Sequence, residues 1–346
     1  MIDDGYSILG VGREISFVWS DHSQTLAETL KDNRLPVVVK IVEDDVVKSE
    51  PDTAIDFQRP LLLYREVKRR KLYTRHMVMD SMNRSKEAGP YVVIPEEYTG
   101  LFLKMENLKE RESDSISIAT IARVMPATFL SLTVGRGFVP SKIRGDSIIY
   151  NKRKDIPTGL FYAMNVHEDY VTYINSRKSE KRRLMRCLRC ITEDRKLEVL
   201  FPFDWSGDLY IVDLRRNHSK YSESDPLTRL HRIPELLKIL EPNQQVKLIY
   251  GDPPSLESKF SGILKFCHLT EEHTVIGCTL TSKEPRLFEI SVPAGPLYTT
   301  ALNTNDKHSD VTLQKCRDFM DNSITKYITE MKIRKDFGVE KRELRE

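Results

Sequence analysis

Cys187 and Cys190, separated by Leu188 and Arg189, are the residues whose type and spacing point first to chemistry. A Cys-x-x-Cys pair can be half of a zinc site or a redox dithiol, because thiolates bind soft metals and attack disulfides. Zinc needs two further ligands at the same place, yet no second Cys-x-x-Cys follows. Cys267, His268 and Cys278 are the other candidates. Along a strand this spacing also puts the two side chains on opposite faces. The expectation is no metal and no cofactor, with Cys187 a buried core thiol, since free cysteine is among the most buried residue types. Arg186 and Arg189 would activate it only if strand alternation did not turn them away.

Other catalytic signatures do not occur. There is no Gly-x-Ser-x-Gly elbow, no phosphate-cradling Gly loop and no His-Glu-x-x-His. Gly135-Arg136-Gly137 is too short to count, and the eight histidines are scattered. No catalytic residue is assigned, and the chain is expected not to be an enzyme.

Two basic runs remain as working surfaces. Arg65, Lys68, Arg69, Arg70, Lys71 and Arg75 surround an expected turn, and Arg177 to Arg189 is rich in Lys and Arg along a loop leading into a strand. Lys68, Arg69, Arg70, Lys71, Lys181, Arg182 and Arg183 form the candidate docking surface for an acidic or phosphorylated protein. The plainer reading is a pair of solvated hairpin tips. RNA or another anionic surface is the alternative partner, although no base-stacking signature accompanies the charge. Tyr173-Ile174-Asn175 has the Tyr-x-Asn form read by some SH2 domains, but its flank Tyr170-Val171-Thr172 reads as strand and hides it from a kinase. Leu62-Leu63-Tyr64-Arg65-Glu66-Val67 reads as core strand, and Pro293-Ala294-Gly295-Pro296 as a corner.

The elements that must position these residues are mostly short β-branched or aromatic stretches closed by Pro, Gly, Asn or Asp. Val37 to Val42, Leu61 to Tyr64, Tyr91 to Ile94 and Phe288 to Val292 read as strands. Compared with itself, the chain repeats. Three times a short amphipathic helix meets a Pro-marked break and then a strand: Leu26 to Leu30 before Pro36, Ile118 to Val124 before Pro126, and Pro234 to Leu240 before Pro242. A second repeat is a corner. In Ile94-Pro95 with Tyr98, Gly100 and Phe102, and in Phe201-Pro202 with Trp205, Gly207 and Leu209, an aromatic follows Pro by three positions. The Gly is expected to take a backbone angle that other residues resist. Ile290 to Tyr298 carries a partial third copy. The expected fold is mainly β: two related barrel-like units, about 15–134 and 135–302, with a few short helices. Leu313, Cys316, Phe319, Met320, Ile324, Tyr327, Ile328 and Met331 fall at helical spacing, so 303–346 is expected to be a C-terminal helix packed on the β units and a charged tail.

Composition sets the class. Fifty-four Lys and Arg against 51 Asp and Glu leave a net charge of +3, too small to imply nucleic acid from bulk charge. Five cysteines in 346 residues are too few for a disulfide framework and fit reduced thiols. No apolar run approaches the roughly 20 residues of a membrane span. The acidic start, Met1 to Gly5, lacks signal-peptide character, so a cytoplasmic protein, with a nuclear fraction allowed, is expected.

The order and spacing of these corners resemble the CABIT module of the Themis and GAREM adaptors. The residues that carry the resemblance are Pro36 with its following strand, then Pro95, Tyr98, Gly100 and Phe102, then Cys187 at a fixed distance before Pro202, Trp205 and Gly207. It covers about residues 20–302 and is closer to the single GAREM-type module. The resemblance implies a non-enzymatic adaptor in receptor tyrosine-kinase or antigen-receptor signalling, acting toward the ERK pathway. The partners it implies are SH2/SH3 adaptors and SH2-containing tyrosine phosphatases. Those adaptors continue into Pro-rich tails, and no Pro-rich run occurs within these 346 residues.

Overall fold

The computed structural model describes residues 17–42, 59–79, 85–105, 115–174, 178–214, 229–254, 260–281, 284–293, 296–303 and 311–334. Chain contacts divide it into two compact units: 1–99 with 252–261 and 266–346, and 100–251 with 262–265. The chain therefore enters and leaves each unit more than once. Position 134, the expected boundary, falls inside the second unit.

Along the first repeat run α1 (Leu26–Asp32), β1 (Val37–Ile41), β2 (Leu61–Met79), β3 (Ser85–Pro95) and β4 (Leu101–Met105). The second holds β5 (Ile116–Ser117), α2 (Ile118–Val124), β6 (Thr128–Ser131), β7 (Gly135–Arg144), β8 (Ser147–Ile156), β9 (Gly159–Ile174), β10 (Glu180–Thr192), β11 (Glu198–Pro202), β12 (Ser206–Gly207) and β13 (Leu209–Asp213). The third holds α3 (Ile233–Ile239), β14 (Gln245–Tyr250), β15 (Ile263–Thr279), β16 (Leu287–Ser291) and β17 (Tyr298–Thr300), and the chain continues through α4 (Val311–Thr329) and β18 (Lys332–Arg334). The fold is mainly β, as expected from the short β-branched runs.

All three expected helices form, each for a local reason. Thr25 and Glu28 close a reciprocal capping box on α1, so two otherwise unpaired N–H groups are satisfied. Ser117 accepts the N–H of Thr120 at the start of α2, and α3 carries Pro234 in its first turn, where a missing N–H costs nothing. Pro36, Pro126 and Pro242 follow soon after each helix and turn the chain into a strand.

The repeat has a three-dimensional counterpart. The strand after each helix pairs antiparallel with a strand that follows a Pro corner: β1 with β17, β6 with β13, and β14 with β4. The residues just before each helix bridge to the same corners, Gln24 to Tyr298, Ile116 to Gly207 and His231 to Phe102. The unit thus occurs three times. Its first and third copies exchange their last strands, which is why the chain weaves between the two units.

In the first unit β17, β1, β2 and β15 lie side by side, with β16 on β15, β3 on β2 and β18 on β3. α4 covers one face. Leu313, Cys316, Met320, Ile324 and Ile328, spaced to share one helix face, pack against Val38, Leu62, Ile276 and Cys278. Leu26, Val37, Leu61, Phe288 and Tyr298 fill a second cluster. In the second unit β9, β10, β11, β7 and β8 close on themselves, because β8 pairs parallel with the far half of β9. Phe138, Tyr150, Val171, Cys187 and Leu200 fill that small ring, and Phe129, Phe161, Phe201 and Trp205 centre the larger cluster beside it.

The two described corners share one hydrogen bond. Tyr98 donates its N–H to Pro95 O at 3.1 Å, and Trp205 donates to Pro202 O at 3.0 Å. Tyr98 sends its hydroxyl to Asp252 O, while Trp205 stacks on Phe201 with ring centroids 5.1 Å apart. Gly100 and Gly207 are both buried, but neither holds a positive φ, contrary to expectation. At Gly207 the constraint is room: an added Cβ would sit 3.0 Å from Thr133 Cβ and 3.2 Å from the Trp205 ring. Ala294 and Gly295, in the third corner, lie outside the described residues.

Candidate functional site

The two basic runs land differently. The first is no turn: Arg65 to Arg75 lie within the 19-residue strand β2. Alternation sends Lys68 and Arg70 to one face and Arg69, Lys71 and Tyr73 to the other. Arg69 and Lys71 are only 4% and 6% exposed, so these two are withdrawn from the expected docking surface. Arg70 forms a bidentate pair with Glu96. Lys68 is exposed.

Arg69 and Lys71 belong to a buried ionic network. Arg69 donates to both oxygens of Glu289, at 3.1 and 3.2 Å, and to Ile328 O at 2.8 Å. Lys71 Nζ lies 2.8 Å from Glu289 and 2.7 Å from Glu272. The third cation on Glu289 is Lys332 of β18, at 3.3 Å, whose Nζ also stands 3.0 Å above the centre of the Tyr327 ring. Thr274 donates its hydroxyl to Glu289 at 2.6 Å. Glu272 accepts from Tyr73 and pairs with Arg334 at 3.4 Å. Antiparallel pairing of β18 with β3, Lys332 opposite Val93 and Arg334 opposite Tyr91, brings the last two cations here.

This network borders a cleft of about 450 Å³ lined by Lys71, Tyr73, Thr274, Ser291, Lys332 and Arg334 among others. Its electrostatics follow from one carboxylate serving three cations. Burial alone would raise the Glu289 carboxyl, but Lys332, Lys71 and the Thr274 hydroxyl outweigh it and hold the group well below the carboxylate range. Lys332 is pushed down to about 8, by burial first, with Arg69 and Lys71 opposing the attraction of Glu289. Tyr73 is raised to about 12 by burial and by its bond to Glu272. Sequence reasoning missed Glu272, Glu289, Lys332 and Arg334, since they come from three distant segments.

The second basic run forms the expected strand β10, paired with β9 from Glu180↔Ile174 to Thr192↔Phe161. Lys181, Arg182 and Arg183 are exposed. Alternation still splits them. Arg182 shares the outer face with Tyr170 and Leu184, which lie directly opposite each other, whereas Lys181 and Arg183 are paired with Tyr173 and Val171. The Arg182 guanidinium stands 4.6 Å from the Tyr170 ring centre. Tyr170 and Leu184, which meet across the ladder, are 54% and 62% exposed. Arg186 pairs with Glu168 on the same face at 2.6 Å.

Cys187 and Cys190 are buried in different clusters, Cys187 inside the small ring and Cys190 beside Leu188 in the larger one. Strand alternation separates them as expected. Burial and nearby Asp204 push the Cys187 thiol up to about 12, and burial pushes Cys190 upward as well. Neither is held as a thiolate. Arg189, on the strand between them, pairs with Glu198. Among the described residues no three His, Cys, Asp or Glu side chains stand together as a metal site, and no helix is long and apolar enough to cross a membrane. Tyr173 is half-buried against Phe138, and Leu62 and Leu63 are core.

No family model, curated protein or solved structure matches this chain.

Proposed function

We propose that the chain is a non-enzymatic protein-binding module of CABIT type, a signalling adaptor or regulator that docks its partner on the outer face of the β9–β10 hairpin. The observation that carries this reading is the exposed cross-strand pair Tyr170–Leu184 with Arg182 stacked on it. Tyr and Arg are enriched at binding hot spots, Tyr because it offers a large rigid contact at small entropic loss and Arg because its planar guanidinium offers directional donors and stacks on aromatic faces. The ladder behind them, anchored by Val171 and Cys187 in the ring core, holds that face in shape before a partner arrives. Raised thiol pKa values at Cys187 and Cys190 support a structural role for the signature cysteine rather than a catalytic one. The corner residues Pro95, Tyr98, Gly100, Phe102, Pro202, Trp205 and Gly207 support the family resemblance by building one repeated turn.

The partner class comes from that resemblance: an SH2-containing tyrosine phosphatase or an SH2/SH3 adaptor in the ERK pathway. The test is surface-based binding of the purified chain to a purified SH2-containing phosphatase. Tyr170→Ala with Leu184→Ala should weaken binding at least tenfold while leaving the melting temperature unchanged, since both side chains are exposed. Binding equal to wild type in that double variant overturns the proposed face. Salt-dependent retention on heparin that Arg182→Glu and Arg183→Glu abolish, with no phosphatase binding, would favour the anionic-surface alternative.

A further inference from the structure

Strand β10 is paired along one edge throughout and along the other only in its second half. β9 accompanies it from Glu180↔Ile174 to Thr192↔Phe161, whereas β11 takes the opposite edge only from Cys187↔Pro202 to Ile191↔Glu198. Just before that second ladder Phe203 donates its N–H to Arg186 O at 3.1 Å. Strand alternation therefore turns the main-chain N–H and C=O of Leu184 and Arg182 to the same side, where no strand pairs with them among the described residues. The open stretch ends at Glu180, whose carboxylate meets Arg144 of β7 at 3.4 Å. Such a row of unpaired main-chain groups is a template for another strand. Lys181, Arg182, Arg183 and Leu184 along it are all exposed. Arg182 lies on Tyr170 and Arg186 pairs with Glu168, but Lys181 and Arg183 make no ion pair among the described residues.

We infer that β10 receives an extended segment of a partner protein as an added strand along Lys181 to Met185, and that this segment alternates acidic with apolar residues. The inference rests on the protein-binding reading above and names the chemistry of the partner. Main-chain hydrogen bonds to Arg182 and Leu184 supply affinity, and alternate side chains supply specificity. A strand laid on this edge sends its side chains to the two faces of the sheet in turn. On one face they meet Lys181 and Arg183, whose charge selects carboxylates. On the other they meet Leu184, with Tyr170 directly across the ladder behind it, and an apolar side chain fits there. A second copy of β10 suits the edge poorly. It would bring Lys181, Arg182 and Arg183 against their own kind, and like charges across a ladder are destabilising. The β9 ladder behind the edge holds it extended before a partner arrives, so little ordering is left for binding to supply.

The test uses the full chain and the synthetic peptide acetyl-Val-Glu-Val-Glu-Val-Glu-Val-amide, with titration calorimetry at pH 7.4. Two further peptides carry N-methyl groups on all the valines or on all the glutamates, and each lacks the N–H groups of one edge of the extended chain. The parent peptide should bind. One methylated form should lose at least tenfold in affinity and the other should keep it, because only one edge of the peptide faces β10. Lys181→Glu with Arg183→Glu should weaken binding at least tenfold at an unchanged melting temperature, since both side chains are exposed. No binding of the parent peptide, two methylated forms that behave alike, or undiminished binding by the double variant each overturns the added strand. The docking face is judged separately. Phosphatase binding that Tyr170→Ala with Leu184→Ala abolishes, in a chain that takes up none of the peptides, overturns the added strand and leaves that face standing. Peptide binding with the one-edge signature, in a chain that binds no phosphatase, supports the added strand and overturns the phosphatase as partner.

Discussion

Replacing Lys332 by Met should stabilise the protein at neutral pH, and by an amount that shrinks as pH rises. The ammonium is held at about 8, against an ordinary lysine value of 10.5, because burial strips its water and Arg69 and Lys71 oppose Glu289. From pH 8 to 10.5 the unfolded chain keeps a proton that the folded protein has released, so this lysine adds stability as pH climbs through that window. Below pH 8 its full penalty applies, about 3 kcal/mol at pH 7 by linkage. By pH 9.5 about 1 kcal/mol of that penalty remains. Methionine keeps the length and the contact with the Tyr327 ring but not the charge, and Glu289 retains Arg69, Lys71 and Thr274 as donors. Urea denaturation followed by circular dichroism at pH 7 and 9.5, on wild type and variant, measures the difference directly. Tyr73, raised to about 12, and Cys187, also about 12, make both proteins less stable at high pH, and they cancel in that difference. Glu289→Gln is the opposing arm, expected to cost about 3–5 kcal/mol by leaving three buried cations without their shared carboxylate. A Met variant less stable than wild type at pH 7, or a difference that does not change with pH, would refute the charge argument.

Two more outcomes follow from packing. Trp205→Ala should cost about 3–5 kcal/mol, because the indole stacks on Phe201 in the main cluster of the second unit, and Gly207→Ala should cost about 1–3 kcal/mol by pressing a methyl on Thr133 and Trp205. Thermal unfolding checks both, and an unchanged melting temperature in the two variants would defeat the corner assignment. Cys187, buried with its thiol raised to about 12, should label with a maleimide much more slowly in the native protein than in urea. Equal rates would reopen a reactive role for it.

Much of the architecture was legible because it is written locally. The helices at Leu26, Ile118 and Ile233 are each short, amphipathic and stopped near a proline, and the structure forms all three within a residue or two of where the pattern places them. The corners at Pro95 and Pro202 were legible for the same reason, their geometry being fixed within four residues. What pattern reading could not supply was the partner of each strand. β4 pairs with β14 and β17 with β1, and nothing in a strand's own residues names a partner more than a hundred positions away. The glycine at 207 was read as a backbone requirement because turns often need one, whereas here the indole of Trp205 and Thr133 would be pressed by a Cβ at 3.0–3.2 Å.

The site illustrates the same limit in charges. Read along the chain, Lys68 to Lys71 is a solvated cluster; in the fold it is two faces of one strand, and the buried face meets carboxylates from β15 and β16. Those acids balance Arg69 and Lys71 one for one. It is β18, arriving after α4, that adds Lys332 to Glu289 and Arg334 to Glu272. An apolar residue in place of Lys332 would pair with β3 equally well and avoid its desolvation, whereas Arg334, 61% exposed, keeps most of its water.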